Sequence, residues 1–269
     1  MKTFEGRNTV ITGAASGIGR GLALALAARG ARLTLADINF AGAQAVADEI
    51  GRAGGKASAV RLDVADEAAF SRMLDTLEPL DYLFNNAGYA MLGESRDMPY
   101  ADWKRLVEVN LLGVLAGSLA AYRRMARQGH GHIVNVASLA GLLGSPLMTA
   151  YSMTKSGVVM FSRMLRSEGE ELGVKVSVVC PSFIQTGIFE ASKYAAVEKD
   201  QVVKQIPFPV MPLAPAIERI IAGVERNEAM IVFPFHARFL WRLLRWLPAL
   251  SAPLERKALR GFRTIRKPG

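Results

Sequence analysis

The sequence predicts an α/β protein: a doubly wound parallel sheet with helices on both faces and a helical extension at the C-terminal end. Three observations lead there. Short apolar, β-prone runs alternate with helix-prone segments along most of the chain, the pattern of right-handed βαβ units. A glycine-rich turn, TGAASGIG (12–19), joins the first such run to the first helix. The side chains able to do chemistry gather where strands end and helices begin, which is where open parallel sheets place their sites.

Composition sets the outer bounds. With 269 residues, 51% of them hydrophobic and 21% charged, the chain can bury one large core and is too apolar for extended disorder. Cys180 is the one cysteine, so no intrachain disulfide can form, and its setting, VSVVCP, reads as a buried inert thiol in a reducing compartment. The N-terminal MKTFEGRNTV lacks the apolar stretch of a signal peptide, and the expectation is a cytoplasmic protein. The stretch VNLLGVLAGSLAAY (109–122) is too short to span a bilayer and is expected in the core. The net charge of +9 is uneven: nine Lys/Arg and one Glu lie from Phe235 to Gly269, while the other 24 basic and 23 acidic residues nearly cancel. No metal site is expected.

TVIT (9–12) is the first strand, and RGLALALAARG carries the first helix from the glycine turn to Gly30. The glycines allow a tight turn and close backbone approach, and the free N–H groups of the helix start suit a pyrophosphate. ARLTLAD, the second strand, closes on Asp37. A carboxylate there can accept both hydroxyls of an adenosine ribose and repel a 2′-phosphate. An N-cap role for Asp37 on the next helix, 40–53, is compatible with this. KASAVRLDV (56–64) is a strand ending in Asp63 and Val64, and DEAAFSRMLDTL (66–77) is a helix. DYLFNNAG (81–88) is a fourth strand, and its end, Asn85, Asn86, Ala87 and Gly88, admits a flat ring.

A long helix over 101–127 holds Asn110, an amide in an apolar stretch that needs partners. HIVNVAS (132–138) and VKVSVVCP (174–181) are strands, with a helix at 150–172 between them. From Ser182 to Pro215 the pattern loosens around Pro207, Pro209, Pro212 and Pro215, and a lid with one or two short helices is expected. A helix at 215–226 and a short strand, AMIVF (229–233), follow. Residues 1–234 therefore read as a single catalytic domain with a lid at about 182–215, and residues 235–269 as a basic amphipathic extension.

The stretch from Ser138 to Lys155 carries the chemistry. Tyr151 and Lys155 are one helical turn apart and share a face. A free phenol titrates near 10, and a neighbouring ammonium favours the phenolate and lowers that value. Ser138, at a strand end, can hold the same substrate oxygen. Such a set suits moving a proton on or off an alcohol or carbonyl oxygen. By itself Y-x-x-x-K is also an ordinary pair on an amphipathic helix, and the rest of the chain must decide.

Several motifs agree in order and spacing, and together they resemble the short-chain dehydrogenase/reductase family over about residues 5–235. The family's T-G-x-x-x-G-x-G loop is Thr12 to Gly19, its N-N-A-G is Asn85 to Gly88, and its Y-x-x-x-K is Tyr151 to Lys155. Asn110 and Ser138 stand where the family has an asparagine and a serine. After the sixth strand its P-G-x-x-x-T reads Pro181 to Thr186, with Ser182 in place of the glycine. The resemblance implies a Rossmann fold and an oxidoreductase working through Tyr151 as acid or base, with Ser138 orienting the substrate oxygen. It implies that Lys155 lowers the tyrosine pKa and binds the nicotinamide ribose, and that Asn110 holds a relay water. Gly13, Ser16, Gly17, Ile18, Gly19, Asp37, Asp63, Val64, Asn86, Ala87, Gly88, Ile184 and Thr186, with Tyr151 and Lys155, would bind the cofactor. Asp37 favours NAD(H) over NADP(H), with Arg20 a weak counter-signal.

Leu139, Leu142, Leu143, Pro146, Met148, Tyr89, Met91, Phe183, Ile188 and Phe189 read as an apolar surround, which points to a small apolar alcohol or carbonyl substrate; they also suit a plain core. The resemblance implies a homodimer or homotetramer. The other function class is a non-catalytic dinucleotide-binding scaffold or sensor attached to membranes by its basic tail. No nucleic-acid partner is expected. In residues 235–269, Phe239, Leu240, Leu243, Leu244 and Leu247 recur at helical spacing, with Arg238, Arg242 and Arg245 on another arc. That pattern suits either peripheral membrane contact or packing on the protein's own body.

Overall fold

The computed structural model describes residues 3–77, 79–188, 192–204 and 209–267. Its strands are β1 Asn8–Thr12, β2 Arg32–Asp37, β3 Lys56–Arg61, β4 Tyr82–Asn85, β5 Met91–Leu92, β6 Gly131–Val136, β7 Val174–Pro181, β8 Lys193–Tyr194 and β9 Met230–Phe233. Seven of them form one sheet in the order β3-β2-β1-β4-β6-β7-β9, and every pairing in it is parallel. The order reverses between β1 and β4, so a crevice opens beyond the ends of those two strands.

The helices are α1 Gly17–Ala27, α2 Phe40–Arg52, α3 Glu67–Asp75, α4 Tyr100–Val107, α5 Gly113–Gln128, α6 Ala140–Leu143, α7 Thr149–Gly169, α8 Lys199–Lys204, α9 Leu213–Glu225, α10 Phe235–Trp246 and α11 Ser251–Arg263. They cover both faces of the sheet because successive strand residues point to opposite sides. Ile11, Leu35 and Phe84 pack with Leu22 and Leu26 of α1, Val46 of α2 and Ile217 of α9. Their neighbours Val10 and Leu83 pack on the other face with Phe70 of α3, Met125 of α5 and Leu165 of α7. The fold is the Rossmann arrangement that the alternating pattern predicts.

A buried polar belt ties the middle of the sheet to that second face. Asn85 donates to Ser118 at 3.0 Å and to Asn135 at 2.9 Å, and Asn135 donates to Ser162 at 2.9 Å. Desolvated polar groups are costly unless paired, so this network sets the height of β4 and β6 against α5 and α7.

Several local expectations change. β3 stops at Arg61, so Asp63 and Val64 lie in the following turn. The cap of α2 is Asn39, whose side chain accepts from Gly42 N–H at 3.1 Å; Asp37 does not cap it. α4 and α5 run together through a π turn at Glu108–Leu112, making a continuous helix, Tyr100–Gln128, of 29 residues. That is long and apolar enough by composition to cross a membrane, contrary to the expectation drawn from 109–122. Its buried residues include Asn110, Ser118 and Arg124, the signature of a helix packed in a core. In the segment expected as a lid, β8 pairs in parallel with β5, a ladder the sequence did not suggest, and α8 is a short helix of the expected kind. Phe189 and Pro207 of the predicted lid lie outside the described residues.

The C-terminal extension folds back on the body. Ala237 of α10 is fully buried, and Trp241 packs with Leu142, Leu143 and Val159. At the far end Phe262 is buried, Arg263 meets Glu94 at 2.9 Å, Arg266 meets Asp97 at 2.6 Å, and Lys267 pairs with Glu198. The Lys267 N–H also donates to the Ala196 carbonyl at 2.9 Å, joining the tail to the segment after β8.

Candidate active site

The glycine turn and the end of β4 form one wall. Gly13 has φ +66°, and a Cβ on Gly19 would stand 2.0 Å from the Gly13 carbonyl oxygen, so neither position accepts a side chain cheaply. Asn86 donates through Nδ2 to the carbonyls of Thr12 at 3.0 Å and Gly13 at 3.2 Å. The N–H groups of Asn86 and Ala87 both donate to the Thr12 hydroxyl, at 3.0 and 3.1 Å. Thr12 is therefore the staple between the two strand ends, a role its place as the first letter of the glycine motif does not reveal. α1 opens at Gly17 without a side-chain cap from Ser16, which leaves first-turn N–H groups for an anion. Ile18 packs against the core, Thr186 lies over Gly17, and Ile184 is buried and bridged to Met211.

Asp37 stands at the end of β2 with its carboxylate oriented by two N–H donors, Ala15 at 2.9 Å and Asn39 at 2.8 Å. Arg20 is drawn away into an ion pair with Glu49 at 2.7 Å. Arg61, the exposed cation beside Asp37 in the β2–β3 register, escaped the sequence reading because nothing there shows which strands are neighbours. Asp63 is held on both oxygens, by Ala65 N–H at 3.0 Å and by Arg105 at 2.6 Å. Burial raises its pKa, but those donors outweigh burial and leave the carboxyl below its ordinary value. Val64 is buried against Gly113.

The second wall is the end of β6 and the first turn of α7. Ser138 lies two residues past β6; its hydroxyl accepts from Ala140 N–H at 3.1 Å and lies near enough to the Tyr151 phenol to favour the phenolate. The loop is fixed from below, because Ala137 N–H donates to Val179 and Leu139 N–H to Pro181, both at 2.8 Å. Lys155 donates through Nζ to the Val136 carbonyl at 2.8 Å and lies 5.7 Å from the Tyr151 ring centre. Gly88 closes the group: a Cβ there would lie 3.5 Å from Lys155 Nζ and 3.0 Å from Asn110 Oδ1.

Asn110 is fully buried at the π turn. Its amide clamps the backbone of Tyr89, accepting from N–H at 3.1 Å and donating to C=O at 2.8 Å. The partner that a buried amide requires is thus the segment next to Gly88.

Burial dominates the electrostatics. It pushes the Tyr151 phenol up to about 12, a rise the nearby Ser138 hydroxyl only partly offsets. It pushes the Lys155 ammonium down to about 8. The lowering of Tyr151 expected from its neighbour is therefore not what this fold produces: both charged forms lose water. Cys180 is likewise buried and pushed up to about 12, which fits the inert thiol expected.

The surround is apolar, with one redistribution. Tyr151 packs with Met91, Leu92 and Leu106, flanked by Tyr89, Met148, Ile188 and Tyr194. Leu139, Leu142 and Leu143 instead belong to the core under α10.

Comparison with known proteins agrees with this geometry. Residues 7–196 match the family model described as short chain dehydrogenase. The 3-oxoacyl-(acyl-carrier-protein) reductase of Escherichia coli K12 is 33% identical over 233 residues, spanning 85% of this chain and 93% of that protein. A short chain dehydrogenase/reductase from Burkholderia phymatum, solved in complex with NAD, superposes with a TM-score of 0.84 at 29% identity, covering 93% of this chain and 97% of that one. A short-chain dehydrogenase from Sphingobium yanoikuyae, in complex with NADPH, gives 0.80 at 27% identity, covering 92% and 95%. The glycine cradle, the Ser–Tyr–Lys group and the seven-stranded parallel sheet have one common explanation: the chain belongs to the short-chain dehydrogenase/reductase family of oxidoreductases.

Proposed function

We propose that this protein interconverts a secondary alcohol and a ketone, or a primary alcohol and an aldehyde, on an apolar substrate, and that it prefers NAD(H) to NADP(H). The observation that carries the reading is the meeting of Ser138, Tyr151 and Lys155 with Gly88 at the carboxyl edge of the sheet, beside the glycine cradle. The residues present fit a dinucleotide: the turn has no room for a side chain at Gly13 or Gly19, the α1 N-terminus is uncapped, and Asp37 is preoriented. Gly13, Ser16, Gly17, Ile18 and Gly19 would hold the pyrophosphate, Asp37 the adenosine ribose, Asp63, Val64 and Asn86 the adenine side, Ala87 and Gly88 the strand end toward Lys155, and Ile184 and Thr186 the carboxamide. Bound nicotinamide supplies or accepts the hydride.

The protein's own residues handle the proton. Tyr151 donates to the carbonyl oxygen in reduction and receives the proton in oxidation, and Ser138 holds that oxygen. A phenol kept protonated by burial suits the donor role. Lys155 serves the ribose and the phenol's proton supply. Asn110 fixes Tyr89 beside Gly88, and because its side chain is engaged there, a relay water would sit on its backbone carbonyl. The apolar surround of Tyr151 supports an apolar substrate, and the pairing of Arg20 with Glu49 supports NAD(H). The homodimer or homotetramer draws support from exposed Leu112 and Leu119 on the α5 side and Met153, Met160 and Met164 on α7. A panel of apolar alcohols and ketones, followed at the reduced-nicotinamide absorbance with NAD(H) and NADP(H) in parallel, tests the reading; no turnover with either cofactor would overturn it.

A further inference from the structure

The outward face of α10 is not the one its leucines suggest. Leu240, Trp241, Leu243 and Leu244 are half-buried and turned toward the body. The exposed residues are Phe235, Arg238, Phe239, Arg242, Arg245 and Trp246, which recur at three- and four-residue steps and so form one stripe down the helix. Phe235 and Trp246 are each 83% exposed, and Phe239 is 59% exposed. Leu247 and Leu250 after the helix are exposed as well, as are Arg256, Lys257 and Arg260 of α11. Among the described residues, none of these six cations pairs with a carboxylate, while the other three of the tail, Arg263, Arg266 and Lys267, are all paired. The one acid of the tail is Glu255.

We propose that this face docks on an anionic lipid bilayer, with Phe235, Phe239 and Trp246 entering the headgroup boundary and Arg238, Arg242 and Arg245 of the same stripe facing acidic headgroups. The tail is already folded and pinned, α10 by Ala237 and Trp241, and α11 with the residues after it by Phe262 and the Arg263–Glu94 and Arg266–Asp97 pairs. Docking therefore needs no folding step. Aromatic side chains among arginines suit the boundary between headgroups and acyl chains, and each cation near an acidic surface adds attraction that salt screens. A second copy on the same face would set cations against cations, which disfavours self-association there.

The test uses the full chain with vesicles of phosphatidylcholine alone and of phosphatidylcholine with 30% phosphatidylserine, by flotation and tryptophan emission. We expect at least tenfold tighter binding to the anionic vesicles, a blue shift of tryptophan emission that is lost with Trp246→Ser, and release at high salt. Phe239→Ser with Trp246→Ser, and separately Arg238→Gln with Arg242→Gln and Arg245→Gln, should each weaken binding at least tenfold while melting temperature is kept. These positions are exposed, so folding is preserved, and the arginine variant is the control should the aromatic one misfold. No binding to anionic vesicles at low salt overturns the proposal. So does binding that both variants retain, an association between copies that the stripe variants abolish without any vesicle binding, or equal binding to duplex RNA without preference for acidic lipid.

Discussion

Lys155 donates its ammonium to the carbonyl of Val136 at 2.8 Å, so one side chain of α7 is anchored on the strand that ends just before Ser138. That bond sets the depth of Lys155 and, through one helical turn, the position of the Tyr151 phenol. The phenol and the ammonium are arranged by the contact of a helix with a strand end.

The Tyr151→Phe variant keeps the ring and its packing and removes the transferable proton. Turnover should fall by roughly 10²–10⁴, with cofactor affinity within twofold of wild type. Steady-state kinetics and cofactor titration decide it, and near-normal turnover would remove Tyr151 from the mechanism.

Lys155 should leave a mark on stability against pH. Its ammonium titrates at about 8 in the fold against an ordinary 10.5, so between those values the unfolded chain binds more protons than the native one. Stability from this group is therefore lowest below pH 8 and rises as pH climbs toward 10.5. The full change is roughly 3 kcal/mol. Tyr151 and Cys180, both raised by burial, act in the opposite sense at high pH, so the comparison is with Lys155→Met. Denaturant midpoints of the cofactor-free proteins from pH 7 to 10 should show wild type gaining on the variant; parallel curves would contradict the burial argument.

Asp37 should govern cofactor choice. A tenfold preference for NAD(H) in kcat/KM needs only about 1.4 kcal/mol. Asp37→Ala should narrow it by removing both the ribose acceptor and the repulsion of a 2′-phosphate. If wild type uses both cofactors equally, Arg61 outweighs Asp37, and Arg61→Ala should then restore the preference.

Phe262 is 1% exposed, so the tail is part of the packed structure. Phe262→Ala should cost about 3 kcal/mol in chemical denaturation. A cost below about 0.5 kcal/mol would show that the last helix contributes little to the fold.

Much of this site was legible because its signals are local. The glycine spacing, Asp37 at a strand end, and Tyr151 and Lys155 one turn apart are properties of short segments, set by backbone sterics and helical period. The alternation of apolar runs determined the parallel sheet in the same way, since each strand must bury both faces. What only the tertiary structure decided depends on residues distant in the chain. Asn110 meets Tyr89, Arg105 captures Asp63, Thr12 staples the end of β4, and the terminal arginines reach Glu94 and Asp97. The direction of the Tyr151 and Lys155 shifts belongs here too: spacing brings an ammonium near a phenol, but burial decides which charge survives. The tail shows the same division. Its sequence has enough leucines and arginines for two faces, and only packing against Leu142, Leu143 and the segment after β8 determined which face was left for solvent.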